Sequence, residues 1–146
     1  MAGAIASNND IDKIYPAPLL VHEALPLRAR QFLEQAINSL SSPSGAIMLA
    51  ASSVDSMLKD KGFREGNLYS RIEEAAKSYL ITDAMSKWAH QVRLEANDQR
   101  HADDEAPLPN NVDAKRVVDF TIALGEFLYV LPSMVAKGLE DSKPTN

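Results

Sequence analysis

Apolar residues recur every three or four positions through most of this chain. Leu33, Ala36, Ile37 and Leu40 carry a first run, and Ile47, Ala51, Val54 and Leu58 a second. Leu68, Ile72, Ala75 and Ala76 form a third, Met85, Ala89, Val92 and Ala96 a fourth, and Val117, Phe120, Leu124, Phe127 and Leu131 a fifth. This spacing belongs to helices that bury one stripe. It predicts helices over 26–41, 45–61, 68–79, 83–100 or slightly beyond, and 114–131. The punctuation agrees. Pro26 suits a first helical turn. Asn67, Thr82 and Asp113 are suited to N-caps, and Gly62 to a left-handed C-cap. Ala46, Ala50 and Ser53 give the second helix a small-residue face for close approach. No segment alternates apolar and polar residues around a hairpin turn, so no strand is predicted. The fold class is all-α, and its short connections favour antiparallel neighbours in a bundle of about five helices.

The stretches outside the helices divide the chain. Residues 1–14 are mostly small and polar and read as a mobile tail. In Tyr15-Pro16-Ala17-Pro18 each proline pushes its predecessor toward extended geometry. An extended N-terminal arm is expected there, laying Leu19, Leu20 and Val21 on the body. Residues 15–137 form one helical domain and 138–146 a polar tail. Residues 102–111 make a loop with an acidic run, two prolines and two asparagines. Pro132 is expected to kink or end the fifth helix. Val118, Ile122, Tyr129 and Val130 widen that helix's stripe, which predicts a central place in the bundle.

Composition narrows the chemistry. A chain of 146 residues, 45% hydrophobic and 24% charged, suits one domain with its own core. With no cysteine there are no disulfides and no thiolate sites. The formal charge of -5 disfavours a protein that coats phosphate backbones, so RNA is expected only in a local cleft. No secretory signal is read at the N-terminus. The apolar stretch 117–131 is broken by Asp119, Thr121 and Glu126 and is short for a bilayer. A cytoplasmic protein without membrane contact is expected. With 6 glycines and no glycine-rich phosphate loop, no nucleotide cofactor is implied. His90 and His101 stand roughly 16 Å apart along a helix and cannot share an ion, so no metal is expected.

The fourth helix carries the reactive groups. Arg93, Asn97 and His101 lie at i, i+4 and i+8, which the spacing places along one stripe away from the core face. Histidine moves protons near neutral pH. Arginine grips phosphate and stabilises developing charge, and asparagine orients either group. The three together are the candidate catalytic set of a metal-independent RNA cleavage that uses the ribose 2′-hydroxyl. Leu94 points away from the core and suggests a partner surface.

The order of elements resembles the bacterial and phage domain-of-unknown-function family 4145. The matching text is Leu25-Pro26, Ser42-Pro43, the small-residue run Ala46-Ile47-Met48-Leu49-Ala50-Ala51, then Leu68, Arg71-Ile72, Ile81-Thr82 and the segment from Trp88 to His101. That segment is similar to the family's Arg-x-x-Gly-Asn-x-x-x-His signature. The family in turn resembles the HEPN-like helical bundles, whose active members are metal-independent ribonucleases in toxin and phage-defence systems. The resemblance implies a HEPN-like antiparallel bundle. It puts the motif's polar position on Asn97 and its histidine on His101. The motif arginine falls on Ala96, with Arg93 one turn earlier on the same stripe. An arginine and acid a turn apart in the second helix correspond to Ala51 and Asp55. With Ala96 at the arginine position, the expected function is an interaction or regulatory module linked to defence or toxin–antitoxin systems. The alternatives are a metal-independent endoribonuclease using Arg93, Asn97 and His101, and a structural protein of a phage or mobile element. The resemblance also implies a homodimer with motif helices facing across a two-fold axis. Leu94 and the broad fifth helix offer surfaces for it or for a protein partner.

Overall fold

Pro26 caps α1 (Leu27–Ile37), and Pro43 sits in the first turn of α2 (Pro43–Asp60). At such positions a missing N–H costs nothing. The structure, a computed structural model, describes residues 21–144 except 103 and 106. α3 (Leu68–Lys77) and α4 (Asp83–His101) start on Asn67 and Thr82. Their side-chain oxygens accept the N–H of Ser70 at 2.9 Å and of Met85 at 3.0 Å, each bond worth ~1 kcal/mol. Gly62 follows α2 at φ 104°, the left-handed conformation that favours glycine. α5 (Asn111–Gly125) begins earlier than expected. Asn110 is its N-cap, and Asp113 is the reciprocal partner inside the first turn, with bonds of 2.9 and 3.0 Å. Among the described residues every regular element is helical and there is no strand. The expectations for 1–14 and for residues 15–20 of the arm lie outside the described residues, while Val21 packs against the core.

Pro132 does not end the last helix. α5 passes through a π turn, Glu126–Val130, into α6 (Leu131–Asp141), so that Asn111–Asp141 is one helical rod of 31 residues. The Leu131 N–H reaches back to the Glu126 carbonyl, one residue further than in an α-helix. Pro132 then falls in the first turn of the renewed α ladder, where its lost donor is tolerated. Residues 138–141, expected in the polar tail, belong to α6. The rod is long and apolar enough to cross a bilayer by those two measures, beyond what 117–131 alone suggested. Its two halves differ. α5 buries Val117, Phe120 and Leu124, whereas no residue of α6 is buried.

The centre of the bundle is α2, not α5. α2 packs against α1, α3, α4 and α5; α5 meets α1, α2 and α4. Small residues explain the difference, because Ala46, Ala50, Ala51 and Ser53 let neighbours approach α2 from several sides. Ser53 is fully buried and donates to the Ala29 carbonyl of α1 at 2.7 Å. Ile47, Val54, Met57 and Leu58 join Leu33, Ile72, Val92, Phe120 and Leu124 in one core. Each such side chain contributes about 1.5–3 kcal/mol on burial. Trp88 covers the edge of this core, its ring 4.6 Å from that of Phe120.

Candidate functional site

α2, α4 and the start of α3 leave an open cleft of about 510 Å³ between them. α2 presents Met48, Ser52 and Asp55, α3 and its cap present Asn67, Tyr69 and Arg71, and α4 presents Arg93, Asn97 and Arg100. Small residues make the room. Ala51 and Ala96 line the floor where larger side chains would fill it.

The acid of the cleft is already paired. Arg71 is 7% exposed, with its Nε 2.6 Å from Asp55 Oδ1 and Nη2 3.0 Å from Oδ2. Its Nη1 donates to the Gly66 carbonyl. This fork-on-fork pairing satisfies both charges inside the wall. Lys59, a turn along α2, adds a 3.3 Å contact to the same carboxylate. The second-helix positions Ala51 and Asp55 thus meet an arginine, but it comes from α3.

Arg93 is held from below. Its guanidinium lies 5.0 Å from the Tyr69 ring centre, and its Nε donates to His90 Nδ1 at 3.3 Å. The His90 ring stands 4.9 Å from Tyr69, and its Nε2 is 2.7 Å from Glu73 Oε2. With Nδ1 accepting from Arg93, the neutral ring carries its proton on Nε2 and donates it to Glu73. Tyr69, His90 and Glu73 therefore orient Arg93 and leave its terminal N–H groups for the cleft. One turn further along α4, Arg100 Nη2 donates to Asn97 Oδ1 at 2.6 Å.

The expected stripe is only partly assembled. Arg93 and Asn97 line one cleft, whereas His101 does not. His101 is exposed at the last position of α4 and makes no side-chain hydrogen bond with the described residues. Helical phase gives the reason. At about 100° per residue, His101 has drifted roughly 80° from Arg93, while Arg100 returns to within roughly 20°. Arg100 takes the place that the i, i+4, i+8 reading gave to His101. Leu94 is 46% exposed on the other side of α4, as its phase predicts.

Tyr69, Arg71 and Arg100 were not anticipated as site residues. Arg71 had a legible signal. It falls at i+3 between Leu68 and Ile72, in the inward register of α3, and a charge in a core register demands a partner. Three guanidinium groups, Arg71, Arg93 and Arg100, line the cleft beside one carboxylate, that of Asp55. This local excess of positive charge sits on a chain of net charge -5. Among the described residues no group of three His, Asp or Glu is arranged to hold a metal ion.

No curated protein and no solved structure matches the chain. A family profile, the domain of unknown function DUF4145, matches residues 31–141. That span takes in all of α2 to α6, the whole cleft and most of α1, and the chain belongs to the DUF4145 family.

Proposed function

We propose that this protein is a cytoplasmic interaction or regulatory module of bacterial or phage defence or toxin–antitoxin systems, built on a HEPN-like bundle. Its cleft recognises an anionic group without cutting it. One observation carries this reading: the polar stripe of α4 inside the cleft is Arg93, Asn97 and Arg100, with no histidine. An arginine stays protonated at any working pH, so it holds an anion but transfers no proton. Acid–base cleavage of RNA needs a group that titrates near neutrality within reach of the reacting oxygens. The second reading, a metal-independent endoribonuclease using Arg93, Asn97 and His101, is favoured by Arg93 and Asn97 sharing one cleft.

The deciding experiment incubates the full chain with a labelled oligoribonucleotide and, separately, titrates it with inorganic phosphate. The expected result is uncleaved RNA and phosphate binding that Arg93→Ala weakens by about 10-fold, the loss of one charged hydrogen bond. His101→Ala is expected to leave binding unchanged. Cleavage that His101→Ala abolishes, together with growth arrest on overexpression that the same change relieves, would establish the ribonuclease instead.

A further inference from the structure

His90 holds one arginine of the cleft through a nitrogen that cannot remain an acceptor at every pH. The ring reaches from α4 to α3 and is 18% exposed. Its Nε2 lies 2.7 Å from Glu73 Oε2, and its Nδ1 accepts the Arg93 Nε–H at 3.3 Å. Tyr69 backs both groups, 4.9 Å from the His90 ring and 5.0 Å from the guanidinium. A neutral imidazole offers one donor and one acceptor, which is what Glu73 and Arg93 require of it.

An imidazole takes up a second proton between about pH 5 and 8. Both of its nitrogens are then donors. Glu73 keeps its hydrogen bond and gains an opposite charge. Arg93 loses its acceptor and meets a second cation where the acceptor was. The other charged groups around α4 are engaged elsewhere. Lys87, one turn before His90, pairs with Asp83 at 3.5 Å. Of the other helices packed on α4, α2 carries Asp55, paired with Arg71, and α5 carries Arg116, paired with Glu95 roughly 140° round α4 from His90.

The proton has two opposing effects on an anion in the cleft. Its charge alone would favour the anion, but Glu73 balances that charge at the other ring nitrogen. The cleft is also open, so salt screens the remainder over about 8 Å at about 0.15 M. The lost hydrogen bond is not screened in this way. A released Arg93 must also give up side-chain freedom each time an anion binds.

We infer that His90 is a proton-operated latch on Arg93: the neutral ring aims the guanidinium into the cleft and the protonated ring releases it, so that the cleft grips an anion at mildly alkaline pH and loosens in acid. This rests on the anion reading of the cleft proposed above and adds its regulation. His90 acts as a positioning residue and need not touch the anion.

Sulfate is the probe, because it stays doubly charged across this range whereas phosphate does not. Calorimetric titration of the full chain in about 0.15 M sodium chloride is expected to give about 5-fold weaker binding at about pH 5.5 than at about pH 8, the loss of one orienting hydrogen bond. In His90→Asn the amide oxygen stands near the place of Nδ1 and accepts at every pH. The ratio between the two pH values is then expected to fall to within about 2-fold of unity, with circular dichroism checking that the variant folds. Linkage supplies a test on the unaltered chain: if the proton weakens the anion, the anion must weaken the proton. The His90 midpoint in an NMR titration is expected to move to lower pH when sulfate is added, and those of the exposed His22 and His101 are not expected to fall with it. Plain attraction between sulfate and the charged ring would move it upward instead. Equal affinity at both pH values, tighter binding in acid, an upward move of the His90 midpoint, or a pH dependence that survives His90→Asn overturns the inference and leaves the anion reading standing. No sulfate binding at about pH 8 overturns both.

Discussion

Arg71 sits where the apolar register of α3 calls for a hydrophobic side chain, and the Asp55 carboxylate, helped by the Gly66 carbonyl, makes that position tolerable. Removing one member of a buried ion pair strands the other, which is more costly than replacing both. Asp55→Ala is expected to cost about 2–4 kcal/mol in urea unfolding. The double change Arg71→Met, Asp55→Leu is expected to recover most of that loss, because neither charge is then left unpaired. Equal losses for the single and double variants would show that the pair contributes nothing specific. His101 is the opposite case. It is exposed, without a side-chain hydrogen bond to the described residues, so His101→Ala is expected to shift stability by less than about 0.5 kcal/mol. The inward phase of Arg71 was legible in the sequence, and so were Arg93 and Asn97 as cleft residues. Arg100 was not, because a four-residue step drifts by roughly 40° and the error doubles at the second step.

At the scale of elements, the π turn ties the end of the bundle together. The Tyr129 hydroxyl lies 2.7 Å from Asp60 Oδ2 and 3.2 Å from the Met57 carbonyl, and Lys61 Nζ stands 4.3 Å from the ring centre. Burial raises the Tyr129 pKa most, and the hydrogen bond and charge of Asp60 raise it further. The sign follows. Tyrosine ionises near pH 10 in the unfolded chain, but later in the folded one. The contribution of Tyr129 is thus complete below about pH 10 and lost as the pH climbs from there toward the folded pKa. Tyr129→Phe is expected to cost about 1 kcal/mol at neutral pH. It is also expected to flatten the fall in melting temperature above about pH 10; an unaltered alkaline profile would count against the assignment. Gly125 marks a second close fit, where a Cβ would lie 2.9 Å from Leu25 Cδ2. Because Leu25 is buried, Gly125→Ala is expected to destabilise by about 1–3 kcal/mol.

Over the whole molecule, the acidic surface and the basic cleft oppose each other. Anion binding in the cleft is expected to weaken several-fold as salt rises from about 0.05 to 0.5 M, since the screening length falls with ionic strength. Salt-independent binding would place the anion elsewhere. Five helices, their N-caps at Asn67 and Thr82 and the turn at Gly62 follow from the sequence alone. Periodicity, capping and left-handed turns are local properties, set by residues a few positions apart. The choice of α2 as the centre, the pairing of Asp55 with Arg71 from another helix, and the exclusion of His101 from the cleft were decided only by tertiary structure. Each depends on which helix faces which, and at what rotation. The same division holds at Pro132. Sequence locates the proline, but whether the helix stops there depends on whether the preceding turn can widen to take up the missing donor, and in this fold the π turn does so.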